Sequence, residues 1–334
     1  LAVGMTLVIV IRHIDLSVGY IAGFLGAIAA ILLTKYAMPV WITIAVVLVL
    51  GASIGIVIGF LVTKMGIPSF VVTLAGMQVF RGALLRVTSS TGTIIVPNAG
   101  FNAIGNGYIP KLFSINGVHG LTLVLGAVAI VLYIWAEFNN RNNKLKYGFE
   151  VLSSVMFTVK LLFVSLVIGY ITWILAGYNG FSWTVVVVII VVLVYNFITN
   201  KTVLGRHIYA IGGNPDAAKL SGINVNRVSM IVFSSMSTLA ALSGILYTAR
   251  LQSATTTAGL AFELDAIAAA YVGGASAAGG VGKVTGSIIG AFVMASLTNG
   301  MNLMGVDISY QYIIRGAVLV AAVIFDVKTR NKKA

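Results

Sequence analysis

The chain has no cysteine, which removes disulfide frameworks and thiolate metal sites together. Histidine occurs only at His13, His119 and His207, far apart in sequence, so neither a metal centre nor a histidine-based catalytic group is indicated. Charge is scarce as well. Asp, Glu, Lys and Arg make up 9% of 334 residues, against about 25% in soluble domains. What fills the space is apolar: 59% of residues are hydrophobic and the mean hydropathy is +1.04. This composition describes a polytopic membrane protein.

Apolar runs recur at 16–34, 41–63, 70–85, 121–135, 158–176, 183–198, 228–248, 284–304 and 308–325. Several approach the roughly 20 residues needed to cross a bilayer as helix, and no soluble domain fits between them. Two shorter stretches, 1–11 and 261–274, are broken by glycine or acidic residues. The expected architecture is all-α, with about nine to eleven membrane helices, some short or broken, in a single transmembrane domain over 1–334.

A net charge of +13 could suggest nucleic acid, but the basic residues cluster between apolar runs, as the positive-inside rule requires. Lys328, Arg330, Lys332 and Lys333 place the C-terminus in the cytoplasm. Counting back four crossings puts 201–227 there, and Arg141, Lys144 and Lys146 join it after two more. The polar segment 88–120 is then external, with Lys111, Arg81 and Arg86 leaving that side imperfectly neutral. Trp41, Trp173, Tyr178, Trp183, Tyr310 and Tyr312 suit interfacial belts better than a sugar-stacking platform.

Between Gly205 and Val225 lies one polar, punctuated segment, GRHIYAIGGNPDAAKLSGINV. Asn214 is a good N-cap, Pro215 suits the first helical turn, and Asp216 complements the helix dipole. Ala217, Ala218, Lys219 and Leu220 favour helix, and Gly222 is placed to end it after Ser221. A capped helix of about two turns outside the membrane, with Arg206, Lys219 and Arg227 around it, suits docking by a partner. An ordinary connector would carry the same caps.

The stretch GGASAAGGVGKVTGSIIG, 273–290, contains a Gly-Lys pair. A phosphate loop would need Gly where Ala277 stands and a hydroxyl where Val284 stands, so nucleotide binding is excluded here. Its small residues serve tight turns and close helix approach. Asp15, with Ser17 beside it, and Glu263 and Asp265 are acidic groups next to the short apolar segments. Such groups near membrane depth are functional candidates, while the plainer roles are an N-cap for Asp15 and a dipole interaction for the other two. Each segment couples a break to a glycine-rich helix, one near each end of the chain, as broken helices in transporter halves do. Arg81, Arg86, Arg250 and Arg315 fit snorkelling at span ends, with Arg315 deep enough to pair with Asp307 or another acid.

The segments GMTLVIVIRHIDLSVG, GIPSFVVTLAGMQVFRG, GRHIYAIGGNPDAAKLSGINV, ELDAIAAAYVGGASAAGGVG and NGMNLMGV resemble the membrane-spanning permeases of bacterial ATP-binding-cassette sugar importers, in the ribose, xylose and galactose group. The likeness runs over essentially the whole chain. Asp216-Ala217-Ala218 followed by Gly222 resembles the importer signature Glu-Ala-Ala, three residues, Gly, with Asp for Glu. The resemblance therefore implies that Gly213, Asn214, Pro215, Asp216, Ala217, Ala218, Lys219, Leu220, Ser221 and Gly222 form the coupling helix that docks on an ATPase subunit. The segment 88–120, the insert near 141–148 and NGMNLMGVDISYQYIIRG are most similar to D-xylose permeases. Two departures stand out. Arg12 and His13 occupy an approach to Asp15 that is often small or glycine-containing, and the family's preceding tail and first spanning helix are not represented before Leu1.

What the resemblance implies is a conduit in the bacterial cytoplasmic membrane, with no cofactor of its own, since ATP is bound by two ATPase subunits. An extracytoplasmic binding protein would deliver a monosaccharide to a homodimer of permeases embedded in lipid. Candidate pathway residues are Asp15, Ser17, Asn102, Gln252, Thr255, Glu263, Asp265, Asn299, Asn302 and Gln311. An ion-coupled secondary transporter, and a permease for another sugar or a nucleoside, remain open on sequence. An intramembrane enzyme finds no paired nucleophile and base.

Overall fold

The structure is a computed structural model describing residues 1–89, 92–115 and 117–331, with the side chains of 329–331 excepted. Lys332 and Lys333, and the Arg330 side chain, which carried part of the sidedness argument, lie outside the described residues. Helix dominates. In chain order the helices are α1 (Ala2–Val10), α2 (Val18–Thr34), α3 (Val40–Thr63), α4 (Ser69–Thr88), α5 (Ala99–Asn106), α6 (Gly120–Lys146) and α7 (Ser154–Gly177). There follow α8 (Trp183–Lys201), α9 (Val203–Gly213), α10 (Pro215–Leu220), α11 (Val225–Leu251), α12 (Phe262–Val272), α13 (Val284–Leu303) and α14 (Ile308–Asn331). Among the described residues, four short strands are β1 (Thr93–Ile95), β2 (Ser114–Ile115), β3 (Val118–His119) and β4 (Ser253–Thr255).

Among the described residues, eight helices are long and apolar enough to cross a membrane: α3, α4, α6, α7, α8, α11, α13 and α14. The all-α polytopic reading holds. Two of the shorter pieces are the ones the sequence flagged, α1 with 9 residues and α12 with 11; α2, expected from sequence as one of the main apolar runs, has 17. Their surfaces say where the solvent is. Trp135, Phe163, Leu166 and Phe292 are all more than three-fifths exposed, which in water would be prohibitive in such number. In a bilayer the same side chains face lipid, and the backbone is satisfied inside each helix.

The described chain divides into two compact units, Leu1–Gly105 with Val187–Ala334, and Asn106–Val186. In the larger, α11 is the central post against which α2 and α3 pack. The approach is backbone to backbone because glycines face it. A Cβ on Gly51 would meet Ser237 O, one on Gly55 would meet Phe233 O, and one on Gly59 would meet Met230 Cα, all at less than 3 Å. With no hydrophobic driving force between helices in lipid, small residues that admit close van der Waals contact are what hold such helices together. The α12–α13 pair uses the same device at Gly273 and Gly286, whose backbones touch.

The smaller unit is built on the α6–α7 hairpin. Gly126 sits against Thr172, the Phe138 and Phe157 rings meet edge to face at 5.3 Å, and Lys160 pairs with Glu137 at 2.8 Å. His119 caps α6 by accepting from Thr122 N, and its Nε2 lies 3.2 Å from Ile109 O. That buried histidine is fully employed in local structure, in line with its isolation in the sequence.

Candidate functional site

The 201–227 segment is more ordered than a loop. Thr202 caps α9 by accepting from Gly205 N at 3.3 Å, and the helix runs to Gly213. The residues predict only one short helix here, and α9 is additional to it, because Gly205, Gly212 and Gly213 weaken the propensity signal. Close packing explains the first two: a Cβ on Gly205 would strike Thr199 O, and one on Gly212 would strike Val10 O, whereas one on Gly213 would meet nothing within 4 Å.

Asn214 then ends α9 and starts α10. Its Oδ1 accepts from Asp216 N at 3.1 Å and Ala217 N at 3.0 Å, and Pro215 opens the helix. Gly222 closes it with φ +84°, a left-handed conformation that glycine adopts without strain. Pro215–Leu220 is six residues, somewhat under two turns. The helix is two-faced. Asp216, Ala217, Lys219 and Leu220 are exposed, Leu220 at 89%, whereas Ala218 is buried to 4% and belongs to the hydrophobic core. The outward face available to a partner is thus Asp216, Ala217, Lys219 and Leu220, with Ala218 holding the helix down.

The two interrupted segments meet. Helix α1 packs on α12 and α13, so the break after α1 and the break after α12 lie in one region. At the first break, Ser17 occupies the N-cap position of α2 without a side-chain capping bond, while Asp15, fully buried, accepts from Ser17 N at 2.9 Å and from Ser17 Oγ at 2.6 Å through Oδ1. Asp15 therefore organises the turn into α2 and is not itself the cap. Its Oδ2 is buried without a partner among the described residues, and the same holds for Oε2 of Glu263. Glu263 Oε2 lies against Gly19 on the first turn of α2, where a Cβ would come within 2.3 Å of it.

The ten pathway candidates fall into several groups. Asp15, Ser17 and Glu263 gather around the start of α2. Asp265 pairs with Arg315 of α14 at 3.4 Å, answering which acid Arg315 seeks; Asp307 instead accepts from Ser309 N at 2.8 Å. Those Ser309 bonds hold the exposed Asp307 carboxyl below its ordinary range. Asn102 donates to Val96 O, Gln252 O accepts from Val96 N, and Thr255 pairs with Thr93 in the β1–β4 ribbon. Gln311 donates to Asn302 Oδ1 and Val306 O, tying the turn between α13 and α14, with Asn299 exposed one turn earlier.

Three connections had no sequence signal strong enough to find them. Arg12 donates from Nε to Gly212 O at 2.7 Å and from Nη2 to Gly213 O at 2.5 Å. Tyr209 Oη donates to Gly282 O at 2.6 Å, and Asp326 Oδ2 accepts from Ser276 Oγ at 2.8 Å. The odd placement of Arg12 before Asp15 was a cue, but its partners lie 200 residues away. Among the described residues no cluster of three His, Cys, Asp or Glu could hold a metal ion.

A protein family described as the permease component of the branched-chain amino acid transport system matches residues 1–323. The chain belongs to that family. It is 43% identical to the xylose transport system permease protein of Haemophilus influenzae over all of this chain and 86% of that protein. It is 39% identical to the xylose permease protein of Escherichia coli over 99% of this chain and 82% of that one. The ribose import permease protein of Escherichia coli is 36% identical over 100% of this chain and 82% of its own length. No solved structure gives a significant match. As a permease component the chain is a multi-pass membrane protein and a transport subunit, not an enzyme.

Proposed function

We propose that the chain is the membrane-spanning subunit of an ATP-binding-cassette importer that carries a monosaccharide, D-xylose or another pentose, into bacterial cells. The observation that carries the reading is α10. It is a capped, outward-facing helix whose base is welded to the junction of the two interrupted segments. A secondary transporter has no use for such a helix. The resemblance to xylose and ribose permeases over the whole chain supports a sugar, and the xylose relatives are the more similar of those compared.

In this reading α10 lies on the cytoplasmic side with the C-terminus, and two ATPase subunits grip its exposed face in a homodimer of permeases. A binding protein outside hands over the sugar. ATP binding closes the ATPases, and the motion rocks the paired broken helices between outward and inward access; hydrolysis resets them. The permease supplies differential binding between two states and no bond chemistry. The sugar path must be polar but weakly binding in at least one state, since tight binding in both would stall release. Asp15, Ser17 and Glu263 are its proposed polar landmarks, held where α1, α2 and α12 meet.

The test is sugar uptake in cells lacking native pentose importers, with the ATPase and binding protein supplied. Xylose uptake that requires the ATPase, and that Leu220→Glu abolishes together with ATPase co-purification while the permease stays inserted, is the expected result. Preference for ribose, arabinose or galactose would move the substrate and leave the mechanism. Uptake indifferent to the ATPase and to Leu220→Glu would overturn the reading in favour of ion coupling.

A further inference from the structure

We propose that Arg12 is a positioning residue that transmits movement of the α9–α10 corner into the break between α1 and α2. The inference rests on the reading of α10 as the ATPase contact.

The local chain at Arg12 is unusual before any long-range contact is considered. Its φ is +65°, a left-handed conformation in which a long side chain is uncommon. Its amide donates to Ile9 O at 2.9 Å, closing α1, and His13 N donates back to Val8 O at 3.0 Å. This tight C-terminal turn throws the Arg12 side chain away from α1 and towards the end of α9. There the guanidinium meets two successive carbonyls, Gly212 O and Gly213 O. Carbonyls at a helix C-terminus lack intrahelical partners and carry the negative end of the dipole, so a planar cation with two donors is well matched to them. Gly213 is followed directly by Asn214, the cap on which α10 is built.

The contact is the centre of a larger knot. Gly280 N donates to Val10 O at 2.8 Å, beside Arg12, and Tyr209 on α9 donates to Gly282 O. A Cβ on Gly279, whose φ is +79°, would overlap Cγ of Arg12, so the loop after α12 lies against one side of the Arg12 stem while the residue keeps an exposed side. That loop is in turn held to α14 through Ser276 and Asp326. Helix ends from α1 and α9 and the second helix break are thereby joined by hydrogen bonds with little slack. On the far side of Arg12, the His13 ring lies 5.6 Å from Phe233 of the central α11, and Asp15 sets the turn into α2. A displacement of α10 pulls on Gly213 O, and Arg12 is the side chain that passes this pull to the α1–α2 break. Coupling through such a chain needs contiguous contacts with two arrangements, and charge-assisted bonds to backbone atoms are stiff enough to serve.

The experiment compares Arg12→Ala and Arg12→Lys with the parent in the assembled importer in liposomes, reading ATPase co-purification, ATP hydrolysis, and sugar taken up per ATP hydrolysed. The expected result is that Arg12→Ala still assembles and hydrolyses ATP, while uptake per ATP falls at least tenfold, and that Arg12→Lys, with one prong in place of two, recovers part of the loss. A ratio in Arg12→Ala within twofold of the parent overturns the proposal. Should the alanine variant fail to assemble, Arg12→Lys decides: a ratio at least threefold below the parent upholds the proposal, and an unchanged ratio overturns it. A parent importer without ATP-dependent uptake would remove the underlying reading, which is visible before any variant is compared.

Discussion

At Gly244 there is no room for a methyl group: a Cβ there would stand 2.1 Å from Ala22 O, inside the contact between α11 and α2. Gly300, on α13, has nothing within 4 Å of the same atom. The two glycines are alike in sequence terms and opposite physically. Gly244→Ala forces the central helix away from its neighbour, at a cost on the order of 1–3 kcal/mol. Gly300→Ala only removes backbone freedom from the unfolded chain and gains about 0.5–1 kcal/mol. Thermal unfolding in detergent should accordingly lower the midpoint for the first variant and hold or raise it for the second. Equal effects would show that the α2–α11 approach is not tight. The spacing of Gly51, Gly55 and Gly59 on α3 could have announced this packing from sequence, since every fourth residue returns to one helix face. Which helix faced that stripe could not be read, because nothing in a glycine names its partner.

The same division appears in whole elements. Helix α10 was legible because its signals are local: Asn214, Pro215 and Gly222 act on backbone groups within three residues of themselves. The inward turn of Ala218 was not, because in a six-residue helix one alanine shows no amphipathic pattern. Helix α12 shows how a short element is anchored from outside. It has acidic residues Glu263 and Asp265 in its first turn, and Asp265 reaches Arg315 of α14. That pair is partly exposed, 22% and 40% for the two side chains, and removal of either charge leaves the other facing a low-dielectric environment. Asp265→Asn and Arg315→Gln together should be less destabilising than the sum of the two single changes, with a coupling energy on the order of 0.5–3 kcal/mol. A double-mutant cycle on detergent-solubilised protein gives the number. Strict additivity would mean that the pair contributes nothing as a pair.

For the molecule as a whole, the question is what drives it. Buried Asp15 and Glu263 would suit a proton or sodium site, whereas the exposed, tethered α10 suits an external motor. In liposomes that contain the ATPase and the binding protein, proton and sodium ionophores should leave the rate of sugar uptake unchanged within about twofold, and vanadate should abolish it. The reverse pattern would return the carboxylates to the centre of the mechanism. The family match and the whole-chain similarity to xylose and ribose permeases weigh towards the motor.

Sequence alone determined the membrane setting, the helical class, the apolar spans, the two broken segments and the capped helix. All of these follow from composition or from interactions between residues at most a few positions apart, and helix formation in a bilayer is compulsory once a run is apolar enough. Tertiary structure decided the rest. It brought the two breaks together against α1, turned Ala218 inward, paired Arg315 with Asp265 and not Asp307, and placed Arg12 on carbonyls 200 positions further along. Those contacts join groups that are distant in the chain and are chosen by which helix faces can approach closely. Backbone carbonyls, the partners of Arg12, Tyr209 and the packing glycines, are identical at every residue, so no side-chain pattern could have pointed to them.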